Sequence, residues 1–193
     1  MLTFCWHCFK ICLLNMEIEG GVINMNRIIQ TERMILRPIN KNDAKDIFEW
    51  VSDPVVNKYM PYSLYENIGQ VEEWIESLVE EENNFAFELK DMGKVIGSGS
   101  ISFDPSRNAY ELGYNLNRNY WGNGYATEAS KAMIKWAYAT LGAREFCSNH
   151  ATANEASGNV IKKCGFKFER FGQYSRFDGS ETFDATFYTM HLE

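Results

Sequence analysis

Residues 119–137 read NYWGNGYATEASKAMIKWA, with Gly122 and Gly124 one residue apart just before an amphipathic run. Glycine costs roughly 1 kcal/mol against alanine inside a helix, so this pair serves the turn or something that approaches it. Upstream, Ala109 to Leu116 (AYELGYNL) alternates, with Tyr110, Leu112, Tyr114 and Leu116 on one face and Glu111, Gly113 and Asn115 on the other. Downstream, Ala126, Ala129, Met133, Trp136 and Ala137 fall on one helical stripe. A strand, a glycine turn and a helix N-terminus make an anion site, because free amides converge there and the helix dipole adds about half a positive charge. Lacking Cβ atoms, Gly122 and Gly124 let a phosphate approach the backbone. On its own, the turn fits a plain chain reversal equally well.

Two familiar phosphate sites are excluded. A P-loop needs Gly-Lys-Ser/Thr, but Tyr125 and Ala126 follow Gly124. A Rossmann site needs a third glycine, an N-terminal position and an acidic residue after the next strand.

The rest of the chain predicts seven strands and four helices in the order βααβββαβαββ. The first strand is Arg33–Ile39, followed by a helix from a cap at Asn42 or Asp43 to about Ser52. Val71, Trp74, Ile75, Leu78 and Val79 mark a second helix, with Glu72, Glu73, Glu76 and Glu80 on its solvated side. Phe85–Lys90 and Val95–Phe103 form a hairpin through Asp91-Met92-Gly93. After the glycine turn come a strand at Arg144–His150, a short helix from Asn154 to Cys164 with Gly165 at its C-cap, and strands at Phe166–Phe171 and Thr182–His191.

Gln/Arg-x-x-Gly-x-Gly/Ala maps onto Asn119 to Gly124, YWGNGYATEA spans Tyr120 to Ala129, and Asn154, Ser157, Val160, Lys163, Gly165 and Phe166 follow an N-x-x-S…V…K-x-G-F pattern. On these motifs the chain from about Thr31 to Leu192 resembles the Gcn5-related N-acetyltransferase (GNAT) superfamily, and within it the ribosomal-protein N-terminal acetyltransferase (RimJ/RimL-like) branch. Asn119 departs from the usual Gln or Arg, at a position where the family's phosphate contacts are mostly backbone amides.

The resemblance implies an α/β (α+β) fold: a mixed, mostly antiparallel sheet of six to seven strands, flanked by four helices and splayed between the family's fourth and fifth strands, here Ala109–Leu116 and Arg144–His150. The pantetheine arm of acetyl-CoA would lie in that V against Asn115 and Leu116. Its pyrophosphate would sit on Trp121, Gly122, Asn123, Gly124, Tyr125 and Ala126, and Asn154 would bond the pantetheine or nearby backbone. Gly113, inside an otherwise good strand, points independently to a bulge or a close backbone approach.

Acyl transfer to an amine needs a base, a polarised carbonyl and a stabilised thiolate. Ser157, carried over from the family pattern, is expected to serve the thiolate. Glu111 is the leading base, with Glu181, Asp184, His150 and water as rivals. Asp53–Glu66 and Tyr174–Phe183 are expected to shape the acceptor pocket, with Tyr59, Tyr62, Tyr65 and Tyr174 as candidate lining. The acceptor is a primary amine, either a protein N-terminus or a small amine, and no metal is implied. The alternative function is a non-catalytic acyl-CoA sensor or scaffold.

Bulk properties agree. The chain has 193 residues, 45% of them hydrophobic, and a net charge of -7, which speaks against a nucleic-acid surface. No apolar run approaches the roughly 20 residues of a membrane span. The odd set Cys5, Cys8, Cys12, Cys147 and Cys164 fits a reducing cytoplasm. Cys5, His7, Cys8 and Cys12 do not follow a usual zinc spacing. Glu19-Gly20-Gly21 can be encoded by a bacterial ribosome-binding sequence shortly before Met25. Residues 1–24 are therefore expected to be a leader or disordered extension and residues 25–193 one acetyltransferase domain, acting as a monomer or, through an exposed C-terminal strand edge, a homodimer.

Overall fold

The computed structural model describes residues 27–78 and 83–193. The leader expected at residues 1–24, its Cys5, His7, Cys8 and Cys12, and the helix positions Val79 and Glu80 lie outside the described residues.

An eight-stranded sheet runs in the order β1-β2-β3-β4-β5-β6-β8-β7. Its strands are β1 (Ile29–Gln30), β2 (Met34–Pro38), β3 (Asn84–Leu89), β4 (Val95–Asp104), β5 (Ala109–Leu116), β6 (Glu145–Ala151), β7 (Lys167–Ser175) and β8 (Thr182–His191). The helices are α1 (Ala44–Val51), α2 (Ile68–Ser77), α3 (Tyr125–Thr140) and α4 (Glu155–Lys163). The strand beyond the expected seven is β1, two residues paired with Leu36 and Ile35, too short to leave a periodic signal.

Two apolar cores cover the two faces. Met133, Ala129 and Ala137 of α3 and Ile161 of α4 pack on Phe85, Phe87, Ile101, Leu112 and Phe146. On the other face Ile47, Trp50 and Val51 of α1 meet Val71 and Ile75 of α2 over Ala86 and Val95. Within α1, Trp50 is fully buried, whereas Phe48 is only partly covered. Asp43, one of the two expected caps, is the N-cap residue of α1 but makes no side-chain cap bond, and the capping is done by Asn40 at the head of the 3-10 turn Lys41–Asp43. The Asn40 side chain takes the amide of Asn42 while its own amide donates to Asp43, a reciprocal box that begins one turn earlier. Arg37 then fixes Asp43 with paired bonds of 2.8 Å and Glu88 with one of 2.5 Å.

The bulge expected at Gly113 is not in the β4–β5 ladder, which keeps one register from Gly97–Leu116 to Asp104–Ala109. Gly113 serves a close approach instead: a Cβ there would stand 3.3 Å from Ser100 Oγ. One row along, a Cβ on Gly99 would lie 2.9 Å from the Gly113 carbonyl and 2.7 Å from both Met133 Cε and Phe87 Cζ. The register shifts of the sheet fall elsewhere, between Ala86 and Glu88 and between Phe168 and Arg170. Among the described residues no helix is long and apolar enough to cross a membrane.

Forcing a methyl into a filled core costs about 1–3 kcal/mol. Gly99→Ala is therefore expected to lower Tm by roughly 2–10 °C. An unchanged Tm in calorimetry would contradict the tight seating of α3 on β4.

Candidate active site

β5 and β6 are the sheet's parallel pair, and they are paired only at Tyr110–Phe146 and Glu111–Cys147. Beyond that point each strand follows its antiparallel partner, β5 to the end of its β4 ladder at Leu116 and β6 along β8 to Ala151. The last tie across the gap is Ser148 Oγ, which donates to the Leu112 carbonyl at 2.9 Å. From Gly113 to Asn115 the edge of β5 that faces β6 has no strand neighbour. This is the expected splay, and it leaves a wedge lined by unpaired backbone.

The glycine turn stands at the mouth of the wedge. Gly122 and Gly124 have φ of 77° and 83°, a left-handed conformation that favours glycine. A Cβ on Gly122 would meet nothing within 4 Å, so the space above it is open. The amides from Gly122 to Thr127 donate to no carbonyl or side chain among the described residues. Open space, free amides and the start of α3 fit a pyrophosphate. Trp121 seals the turn's base by donating Nε1 to the Leu116 carbonyl at 2.8 Å, and Asn123 Nδ2 bonds the Tyr120 and Trp121 carbonyls within the turn.

A residue missed by sequence reading braces this turn. Arg33, just before β2, donates its backbone amide and Nε to Glu128 of α3 at 2.9 and 2.8 Å. Its Nη1 reaches the Asn123 carbonyl at 2.9 Å, and its guanidinium lies 4.1 Å over the Tyr125 ring. Burial alone would raise the Glu128 carboxyl, but bonds from Thr31 and Arg33 hold it below the usual carboxylate range. No local pattern announces the pair, since its members are 95 positions apart.

The predicted site residues divide between the two faces of the wedge. Toward α4, Asn154 caps the helix by accepting from the Ser157 amide at 3.3 Å. Tyr114 OH lies 2.8 Å from Ser157 Oγ and 3.0 Å from the Ser157 carbonyl, bridging β5 and α4. Burial holds the Tyr114 phenol protonated well above its ordinary range. On the opposite face Glu111 is largely covered and accepts from Asn149 Nδ2 at 3.1 Å. Burial pushes its carboxyl up, with Asp104 adding and Arg107 and Asn149 opposing. Beside it, Asn115 Oδ1 takes the amide and hydroxyl of Ser98, and Nδ2 donates to Tyr62 OH at 2.8 Å. Leu116 turns its side chain into the core. Glu111 and Ser157 therefore flank the gap from opposite sides.

The rivals for the base are engaged elsewhere. His150 is buried, with Nδ1 donating to the Ala151 carbonyl and the ring stacked on Tyr188, beneath Gly158, where a Cβ would stand 2.5 Å from Nε2. Glu181 pairs with Arg176, and Asp184 accepts from Gln173 at 2.9 Å.

The two segments expected to shape the acceptor pocket are tied together. Arg176 donates to the Met60, Tyr62 and Lys58 carbonyls, and Tyr174 OH to that of Tyr59. Tyr59 packs edge-on against Phe183, so of the expected tyrosines Tyr62, backed by Tyr65, is the one that reaches the floor of the wedge. Among the described residues no group of three or more His, Cys, Asp or Glu side chains is placed to hold a metal.

Residues 33–167 match the family model described as Acetyltransferase (GNAT) domain. A relative from Bacillus licheniformis, "Uncharacterized N-acetyltransferase p20", is 30% identical over 147 residues, covering 73% of this chain and 83% of its own. The fold also matches a GNAT-family acetyltransferase from Bacillus anthracis at a TM-score of 0.77 and 23% identity, over 85% of this chain and 98% of that one. Microcin C7 self immunity acetyltransferase MccE, solved with acetyl-CoA and AMP, matches at a TM-score of 0.71 and 21% identity, over 83% of this chain and 93% of its own.

Gly122→Val fills the open space above the turn and is expected to weaken CoA binding about tenfold or more, read as Kd by calorimetry. Arg33→Ala, which frees the Asn123 carbonyl and strands Glu128, is expected to weaken it several-fold, and Arg33→Lys to recover only part, because a lysine cannot make the paired contact. Unchanged Kd in Gly122→Val would place the phosphates elsewhere.

Proposed function

The chain belongs to the GNAT acetyltransferase family, and from that premise we propose that it moves the acetyl group of acetyl-CoA directly onto a primary amine in a ternary complex. The observation that carries this reading is the wedge, with a raised carboxyl on one side and a hydroxyl pair on the other. The free amides after Gly122 would hold the pyrophosphate, and the unpaired edge of β5 from Gly113 to Asn115 would accept the pantetheine as an added strand. That docking carries the thioester toward the point where β5 and β6 part.

Each side of the gap then has one task. An ammonium must lose its proton before it can attack, and Glu111, its carboxyl already pushed up by burial, would take that proton on the Asn149 face. As the new C–N bond forms and the C–S bond breaks, negative charge passes from the carbonyl oxygen to sulfur. A backbone amide at the wedge edge would polarise the carbonyl. Ser157 Oγ would donate to the departing thiolate, with Tyr114 orienting that hydroxyl. Holding both reactants in one gap supplies about 7–11 kcal/mol of the barrier.

YWGNGYATEA at Tyr120–Ala129 supports the RimJ/RimL-like branch and hence a protein N-terminus as acceptor, with a small amine as the other form of the same chemistry. The cysteine pattern supports action in the cytoplasm.

CoA thiol release across free-N-terminal peptides, amino acids, spermidine and an aminoglycoside tests this reading. Turnover with one class supports it, whereas cofactor binding without turnover on any would favour a sensor. Glu111→Gln is expected to cut kcat by about 10²–10⁴ and to remove the acid limb of the pH–rate profile. In the unaltered protein that limb should lie above the ordinary glutamate range, because the base must be ionised and its carboxyl is raised. Ser157→Ala is expected to lower kcat more than it changes the Kd of acetyl-CoA, and the reverse pattern would remove it from the leaving-group role.

A further inference from the structure

Across the face that carries Glu111, a row of side chains runs over four neighbouring strands. Glu111 of β5 accepts from Asn149 of β6, Asn149 is in register with Phe187 of β8, and Phe187 with Arg170 of β7. The Arg170 guanidinium lies 4.0 Å from the Phe187 ring centroid. It makes no hydrogen bond or ion pair with any described residue.

Two features of β7 put it there. The β7–β8 register shifts between Phe168, opposite Tyr188, and Arg170, opposite Phe187, so Glu169 is the extra residue of a bulge. In an unbroken ladder Glu169 would face Phe187. The second feature is Gly172, where a Cβ would stand 2.7 Å from Arg170 Nη1 and 2.9 Å from the Phe187 ring. The missing side chain leaves room for the guanidinium over the ring.

The surrounding charges sharpen the contrast. Arg107 approaches the same ring at 5.7 Å but is paired with Glu169 and also donates to the Tyr188 carbonyl at 3.3 Å. The bulge thus gives its carboxylate to one arginine and leaves the other with all its donors. A planar guanidinium held on an aromatic face has its N–H fork preorganised for a carboxylate or phosphate.

We propose that Arg170 anchors an anionic group of the acceptor, so that the preferred substrate is a primary amine carrying a carboxylate or phosphate a short distance from its nitrogen. Phe187 lies two strands across and two residues along from Glu111, roughly 12 Å at about 4.8 Å per strand and 3.3 Å per residue. That span corresponds to three or four residues of extended chain at about 3.3–3.6 Å each, or to two residues and a long acidic side chain. An α-amino acid is too short to bridge it. A peptide N-terminus with an acidic side chain at its third position, or an ω-amino acid of similar reach, fits.

The inference rests on the acetyltransferase reading, so binding and turnover are measured separately. Two matched pairs serve as probes: the amidated peptides Ser-Ala-Glu-Ala and Ser-Ala-Gln-Ala, and 6-aminohexanoate with hexylamine. Each is titrated calorimetrically into CoA-loaded protein and assayed for thiol release from acetyl-CoA. The native protein is expected to favour the anionic member of at least one pair by about tenfold, and the pair that shows it identifies a peptide or a small-molecule acceptor. Arg170→Ala should erase the preference while leaving the neutral probes and the Tm unchanged, and Arg170→Lys should keep part of it. Equal affinities for both members of both pairs in the native protein, or a preference that survives Arg170→Ala, would overturn the proposal. A binding preference without thiol release would support Arg170 as the anchor and count against the acetyltransferase reading alone.

Discussion

The site depends on a ladder that stops early. Parallel strands normally pair along their length, and a buried backbone group left without a partner costs about 1–3 kcal/mol. Here β5 and β6 meet at two rows and then separate, because each is committed to a longer antiparallel ladder on its other side. The close packing of Gly99 on Gly113 and Met133 holds β5 down onto β4, and Ser148 ends the contact by taking the Leu112 carbonyl with its side chain. The result is an unpaired strand edge inside a continuous sheet, with the geometry to pair an extended ligand. Recognition of such a ligand would require little side-chain chemistry, consistent with Asn115 and Leu116 directing their side chains elsewhere.

The turn beyond the wedge meets a related difficulty. Two left-handed glycines and a run of unpaired amides form a segment whose own side chains, Trp121 and Asn123, bond only carbonyls. Arg33 supplies the missing support by bonding a turn carbonyl and a carboxylate of α3 together. Because the ion pair is part-exposed, its Coulombic value is modest, and its main effect is geometric. A cation is kept near the anion site while the amides stay free to point outward.

What was legible in the sequence follows from the range of the interactions involved. The alternation of Ala109–Leu116, the glycine turn and the α3 stripe are local patterns, and the structure places them as read. Gly113 left two readings open because small size is ambiguous: a glycine that admits a bulge and one that admits a neighbouring hydroxyl look alike until Ser100 is placed across from it. Asn40 was overlooked as a cap because Asn42 and Asp43 lie nearer the helix, whereas the box closes around the turn that precedes it. Arg33, Tyr114 and Asn149 act through partners 95, 43 and 38 positions away, beyond any periodic signal. The β7 bulge is invisible for the same reason, since one extra residue leaves no trace in a strand whose outward positions are all exposed.

The division of the site between two faces has a chemical consequence. A base and an acid in direct contact would exchange the proton between themselves and be lost to the reaction. Strand alternation prevents that here: Glu111 and Tyr114 are an odd number of positions apart on β5, so their side chains leave the sheet in opposite directions. Burial affects the two groups with the same sign but to different ends. It raises the Glu111 carboxyl above its ordinary value, which makes the carboxylate a stronger base, and it keeps the Tyr114 phenol protonated so that it remains a donor. One strand, by its two-residue repeat alone, would thus separate proton removal from leaving-group stabilisation in the proposed reaction, with the wedge lying between the two groups.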